Sequence, residues 1–386
     1  MAAALSVAAG SASATSLATT RSVPGTAHPT IAPIPVAVFG ADDRRTPPRR
    51  LKGVADQIGL FFSNTARTVC TAFCVAPRVV ATAAHCLAQK EGKPAHLSEF
   101  MFARGYDRRR EFVHVEGFTT SSTAQSVLTG EFHHRIKPPI DAAHDWALVR
   151  LSSDACPHGG IPVTPLSTDD VIAASDAGRI FQLSYHRDWT QWRVAYSKPC
   201  FVSRDFNTVQ WSTIAPDFMD ADQMIFHQCD TGGASSGSPM LMTGPRGVSV
   251  VGINVGTYVQ AKVLSEHGKV TMREQAETVA NTAVSARAFA GRITTFRGAA
   301  ILASGDPIRQ LQRQLAAQNF YRARIDGSYG PILRAAIQGY ERTNKLPVMG
   351  VPTVALLHRL TMQAQTGFGR IAPTSAHQHT PAPTNQ

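Results

Sequence analysis

Ala234-Ser235-Ser236-Gly237-Ser238-Pro239 puts a serine hydroxyl on a run of small residues, directly after Gly232-Gly233. Such a run can fold tightly behind the hydroxyl, because glycine adopts backbone conformations closed to other residues. Working back along the chain, Asp145 opens the segment Trp146-Ala147-Leu148-Val149-Arg150-Leu151. That segment is apolar except for Arg150, so it carries the Asp145 carboxylate into a dry setting. Further back, Val79-Val80-Ala81-Thr82-Ala83 reads as a strand ending in a turn, with Ala84-His85-Cys86 immediately after it. Downstream of the serine, Val248-Ser249-Val250-Val251-Gly252-Ile253 has the pattern of a core strand. No one of these segments is decisive; the order histidine, aspartate, serine, with each in a fitting local setting, is.

The three residue types suit one reaction. A serine hydroxyl is a poor nucleophile until a base takes its proton. Imidazole titrates near neutrality, so His85 is suited to accept that proton and hand it to a leaving amine. A buried carboxylate at Asp145 sets the tautomer of His85 and stabilises its imidazolium. The oxyanion formed on attack by Ser236 needs two main-chain donors, and the amides of Ala234 and Ser236 are the candidates. Asp141 lies four residues before Asp145 and competes with it, but the apolar run favours Asp145.

These segments resemble the chymotrypsin superfamily of serine endopeptidases, and within it the bacterial trypsin-like and V8-like (glutamyl endopeptidase-like) branch. The serine motif reads Ser236-Gly237-Ser238-Pro239, Gly40-Ala41-Asp42-Asp43-Arg44 looks like the segment near the mature start of V8-like members, and Asn281-Thr282-Ala283-Val284 with Phe289 looks like their closing strand and final helix. The resemblance covers residues 39–297. It implies an all-β fold of two six-stranded antiparallel barrels with the catalytic cleft between them, and the trio His85, Asp145 and Ser236. It also implies a Cys70–Cys86 bridge around the histidine loop and a Cys200–Cys229 bridge near the serine segment. Cys74 and Cys156 are then left over, either paired or free. Six cysteines fit an oxidising compartment. Cys70-x3-Cys74 finds no second ligand pair at finger-like spacing, so no metal or cofactor is expected.

Departures from the family pattern matter. Relatives place glycine two residues before the nucleophile, where this chain has Ala234. If that position takes φ > 0, alanine is strained there by ~1–2 kcal/mol. A misformed donor pocket would leave a catalytically silent homologue acting as a wall-binding protein. Ser235 stands where trypsin-like zymogens carry the aspartate that pairs with a new N-terminus, so activation by that ion pair is not expected. Two residues are candidates for substrate binding. Asp230 lies at the position of the carboxylate at the base of the trypsin-like specificity pocket, where it would select Lys or Arg. In V8-like relatives of other specificity the same Cys-Asp-Thr run suits a structural aspartate instead. Asn254 stands where glutamate-specific members carry a pocket histidine, which removes the main support for glutamate preference.

A second unit follows. Asp306-Pro307 reads as a helix start, with Ile308, Leu311 and Leu315 at helical spacing. Asp326-Gly327 is a turn, Gly330-Pro331 opens a second helix, and Thr353 caps a third bearing Leu356, Leu357 and Leu360. Residues 303–362 therefore read as a small three-helix bundle. It resembles the peptidoglycan-binding-like domain, through Leu311, Leu315, Asp326-Gly327, Gly330, Ala335-Ala336, Leu346-Pro347, Gly350 and Leu356-Leu357, with Leu333 in place of the usual threonine. The resemblance implies peptidoglycan or another wall polymer as partner. Arginines at 309, 313, 322, 324, 334, 342 and 359 make this unit basic, which suits an anionic wall, a solvated face, or packing on the first domain.

Residues 1–14 read as a partial signal peptide ending in Ala12-Ser13-Ala14, residues 15–38 as a linker or pro-segment, and 363–386 as a disordered tail. The whole chain carries 38 Lys and Arg against 27 Asp and Glu. It has no aromatic-basic motif of a nucleic-acid binder, so an anionic cell surface suits that charge better. No run reaches the ~20 apolar residues of a membrane span. Together the readings describe a secreted, periplasmic or wall-associated serine endopeptidase, monomeric, acting on protein or peptide substrates.

Overall fold

Runs rich in β-branched and aromatic residues build the first sheet. β1 (Ile58–Ser63) and β2 (Thr68–Ala76) pair antiparallel across a tight turn. β1 also pairs with β4 (Met101–Arg104), and that approach needs Gly59, where a Cβ would collide with the Ala103 main chain. β3 (Val79–Thr82), β5 (Val113–His114), β6 (Val127–Thr129) and β7 (Ala147–Arg150) complete the sheet in the order β5-β4-β1-β2-β3-β7-β6. The second sheet is formed by β8 (Ile180–Tyr185), β9 (Val194–Ser197), β10 (Met224–His227), β11 (Pro239–Gly244), β12 (Gly247–Glu266) and β13 (Lys269–Ser285), in the order β10-β13-β12-β11-β8-β9. Every ladder in both sheets is antiparallel.

This computed structural model describes residues 37–366 apart from 89–95, 107–111, 121, 134, 136–137, 191, 207–208 and 267–268, with the backbone alone along 259–278. The expected signal segment 1–14, the linker up to residue 36 and the tail from residue 367 lie outside the described residues.

The expectation of two closed six-stranded barrels is corrected. One sheet has seven strands, and neither closes into a continuous ladder. Isolated bridges take the place of closure: Val115, past β5, pairs with Leu151, past β7, in the first sheet, and Val202, past β9, pairs with His227 of β10 in the second. The chain explains why. Strand β5 is two residues long and runs into a turn at Gly117, whose φ is +81°. After β9 the chain meets Pro199, which has no N–H to donate to a ladder.

Short helices α1 (Lys52–Ala55), α2 (Thr168–Asp176) and α3 (Trp211–Ile214) lie between strands, and α4 (Ala290–Gly298) follows β13. Three more helices come after it: α5 (Asp306–Ala317), α6 (Pro331–Thr343) and α7 (Val354–Thr366). With α4 the helical region holds four helices, more than the bundle of three alone; α5, α6 and α7 are the three over the residues read as that bundle. Helix α5 starts at Asp306-Pro307 as read, and the residue that caps it is Gly305, at φ +97°. Pro331 opens α6 as read, and Thr353 Oγ1 accepts from Leu356 N at 3.1 Å at the start of α7. Gln312 holds the Asp326-Gly327 turn, accepting from Gly327 N at 2.9 Å and donating to Asp326 at 2.8 Å.

The described residues form one compact unit. Its main apolar core draws Phe61, Phe73, Phe100 and Leu148 from the first sheet and Tyr185, Leu241 and Ile253 from the second. Met349 and Val351, from the helical region, are buried in the same core. Arg150, the polar exception in its apolar run, donates to the Phe296 and Ala299 carbonyls at 2.9 and 2.7 Å and so ties β7 to the end of α4.

Candidate active site

Strands β3 and β7 are neighbours in register, Thr82 opposite Ala147, so the residues just past one and just before the other meet. A single 3-10 turn, Ala84–Leu87, carries His85. The Cys70–Cys86 disulfide ties that turn to β2. Asp145 follows the turn Ala142–His144 and leads into β7. Its Oδ2 accepts from His85 Nδ1 at 2.6 Å and its Oδ1 from the His85 amide at 2.8 Å. The side chain of Asp145 is 5% exposed and that of His85 24%. Asp141, the competitor, faces elsewhere: it accepts from the amides of His133 and Arg135 at 2.6 and 2.9 Å. Cys70 and Cys86 also crowd His85, with ligand atoms within 4.8 Å of one another, but their mutual bond removes both thiolates.

Burial works against the charged form of His85, yet the charge and hydrogen bond of Asp145 outweigh it, and the pKa is raised above 6.5. A base must be neutral to accept a proton. Hydrolysis at this site is therefore expected to fall on acidification with an apparent pKa above 6.5 in a kcat/KM profile; a midpoint at or below 6.5 would contradict the pairing. The sign for stability is opposite. The fold favours the imidazolium, so this stabilisation is complete below the unfolded pKa and is lost as pH rises through the folded one.

Thr71, which lies on β2 and carries no motif, joins that strand to the serine loop. Its amide donates to Ser236 O at 2.9 Å, its hydroxyl donates to Ala234 O at 2.8 Å, and the same hydroxyl accepts from Tyr185 N at 3.0 Å. Thr82 Oγ1 in turn donates to Thr71 O at 2.9 Å. Gly237, at φ +82°, lies so close that a Cβ would collide with Thr82 Oγ1 and the Thr71 carbonyl. Within the loop the Ser235, Gly237 and Ser238 amides donate to Gly232, Asn254 and Ser235 carbonyls. The amides of Ala234 and Ser236 donate to nothing among the described residues. No hydrogen bond joins Ser236 Oγ to the His85 ring among the described residues.

Ala234 sits at φ +82°, the conformation in which alanine is strained. Ala234→Gly is expected to stabilise the protein by ~1 kcal/mol, read as a rise in the thermal midpoint. An unchanged or lower midpoint would show that the strain is relieved in some other way.

Asp230 and Asn254 have partners other than a substrate. Asp230 is 2% exposed, and its two oxygens accept from the Phe39 and Asp43 amides at 2.9 and 2.8 Å. Ser197 Oγ links Asp43 and the Asp230 amide, and Ala37 bridges to Thr231. Of the two readings of this carboxylate, the contacts are those of the structural one: it anchors the segment 37–43. Removing it leaves two half-buried amides without their acceptor, so Asp230→Ala is expected to cost ~2 kcal/mol in denaturant unfolding; a cost below ~0.5 kcal/mol would sink the anchoring role. Asn254 is also 2% exposed; it donates to Ser235 O at 3.2 Å and accepts from His227 Nε2 at 3.1 Å. Burial lowers the His227 pKa to about 4, so it stays neutral. With Nδ1 accepting from the Cys229 amide, its proton sits on Nε2 and faces Asn254. Asn254 therefore braces the serine loop from behind.

The fold and the buried His–Asp pair define a chymotrypsin-fold, trypsin-like peptidase domain, and residues 70–253 match the family described as a trypsin-like peptidase domain. Residues 304–360 match a putative peptidoglycan binding domain. The chain carries a trypsin-like protease domain fused to a C-terminal peptidoglycan-binding module. A solved structure of Glu endopeptidase in complex with MPD is 14% identical with a TM-score of 0.44, the match covering 67% of this chain and 98% of that one. No curated protein matches.

Proposed function

We propose that the chain is a serine endopeptidase that cleaves peptide bonds through an acyl-enzyme on Ser236 and is directed to the cell wall by its C-terminal module. The observation that carries this reading is the pairing of a buried His85–Asp145 couple with a serine loop whose Ala234 and Ser236 amides are free to donate. His85 Nδ1–H donates to Asp145, which leaves Nε2 to take the proton of Ser236 as Oγ bonds to the substrate carbonyl carbon. The oxygen that gains the negative charge meets the two free amides. His85 then protonates the leaving amine, and water repeats the sequence on the acyl-enzyme to release the acid and restore Ser236. Each donor to the oxyanion is worth ~3–4 kcal/mol in the transition state.

Three disulfides support export to an oxidising compartment. No helix among the described residues is long and apolar enough to cross a membrane. The domains we assign are 39–297 for the peptidase and 303–362 for the wall module, with a monomer as the working unit.

A fluorophosphonate probe tests the chemistry. Expected is one adduct, mapped to Ser236 and absent in His85→Ala. A second reading, a silent homologue that binds wall, draws on the positive φ of Ala234 and the missing Ser236–His85 hydrogen bond. An unlabelled but folded protein that sediments with purified peptidoglycan would establish it instead.

A further inference from the structure

β6, the turn after β13 and the start of α4 on one side, and α6 with the loop after it on the other, enclose a cavity of about 420 Å³. Neither His85 nor Ser236 lines it, so it is separate from the candidate active site. Trp146, Arg287 and Arg292 reach it from the peptidase part and Arg342 from α6. The two parts are held in register around it. Arg334 donates to Val127 O at 2.9 Å and to Thr129 Oγ1 at 3.0 Å, and Gln125 Nε2 donates to Leu302 O at 3.3 Å and Ser304 Oγ at 3.1 Å. Arg334 is thereby withdrawn from the basic face that the sequence offered to an anionic wall.

Donors dominate the walls. Arg287 and Arg342 are exposed and have no carboxylate partner among the described residues. Arg292 is half-buried, lies 5.3 Å from the Trp146 ring centroid and donates to the Ala288 carbonyl. Burial lowers its pKa against the opposing pull of Glu131, which marks a cation short of solvent. The Trp146 indole N–H has no acceptor among the described residues. Guanidinium forks match carboxylates, each of which can take two parallel N–H bonds. Glu131 and Asp222 also line the cavity, and their carboxylates suit an ammonium. Glu131 is held at φ +64°, a strained conformation of the kind that collects at binding sites. Beside it Gly130 lets the chain pack closely against the Trp146 indole and the His144 carbonyl, where a Cβ would collide.

We propose that this cavity between the two modules binds a short peptide bearing at least two carboxylates and a free amine, the chemistry of a peptidoglycan stem peptide. The proposal rests on the wall-binding reading only for that choice of peptide. Titration calorimetry of the full chain with the stem tripeptide L-Ala-γ-D-Glu-meso-diaminopimelate tests it. Expected is one saturable site, weakened about tenfold or more by Arg287→Ala and by Arg342→Ala and unchanged by Arg322→Ala, an exposed arginine away from the cavity. The same peptide with its carboxylates amidated should bind at least as weakly as it does to the variants. No binding, or equal affinity in all three variants, overturns the cavity proposal. Sedimentation of the full chain with intact peptidoglycan then shows separately whether the wall-binding reading stands. Fluorophosphonate labelling reports on the peptidase reading whichever way the calorimetry falls.

Discussion

Asp145→Asn is expected to lower kcat about 10⁴-fold while the protein stays folded. The substitution keeps the shape of the side chain, so the carboxamide oxygen of the variant can still accept from the His85 amide as Asp145 Oδ1 does at 2.8 Å. At the other branch an N–H replaces a carboxylate oxygen and faces His85 Nδ1. That nitrogen must then become an acceptor, which moves the ring proton to Nε2, where a free lone pair is needed for the serine. The imidazolium also loses its counter-charge in a setting where the partner carboxylate is 5% exposed. Steady-state hydrolysis of a quenched peptide library and the rate of fluorophosphonate labelling both measure the effect, with circular dichroism reporting the fold. A loss below tenfold in both rates would mean that Asp145 only supports the His85 loop, and the proposed chemistry would lose the carboxylate that orients its base.

Removing the Cys74–Cys156 bridge with serines at both positions is expected to cost about 4–5 kcal/mol, the largest of the three disulfide effects. The reason is loop length. This bridge closes a separation of 82 residues, against 29 for Cys200–Cys229 and 16 for Cys70–Cys86. In the chain-entropy account the shortest of these contributes about 3 kcal/mol. Both sulfurs sit in the main core, so serine hydroxyls there add a desolvation cost. Equilibrium unfolding in guanidinium of each double serine variant gives the ranking. A smaller loss for Cys74–Cys156 than for Cys70–Cys86 would show that the unfolded chain keeps residues 74 and 156 close without the bond.

Much of the peptidase domain was legible because its signals are local. The strand runs at 79–83 and 146–151, the small-residue turn at 232–238 and the helix-period leucines after 306 each state their own structure. His85 and Asp145 could be named from such runs, since the strand that precedes one pairs with the strand that follows the other. Barrel closure was not legible. It depends on whether short edges at β5 and β9 continue their ladders, and a two-residue strand and a proline stop them. The choice between the two readings of Asp230, pocket base or structural aspartate, was not legible either, because spacing from Ser236 says nothing about residues 39 and 43, almost two hundred positions away, whose amides donate to it. Thr71 was missed altogether, for one threonine in a strand gives no sign of the contacts it makes with the serine loop.

By itself the amino-acid order determined the residue types, their local settings and the division into a strand-rich part and a helical part, because periodicity and turn chemistry act over a few residues. The partnership of Cys74 with Cys156, the free amides at Ala234 and Ser236, the left-handed backbone of Ala234 and the arginine-lined cavity between modules were decided only by the tertiary structure. Each depends on which distant surfaces meet, and that is set by packing of the whole core rather than by any stretch of chain.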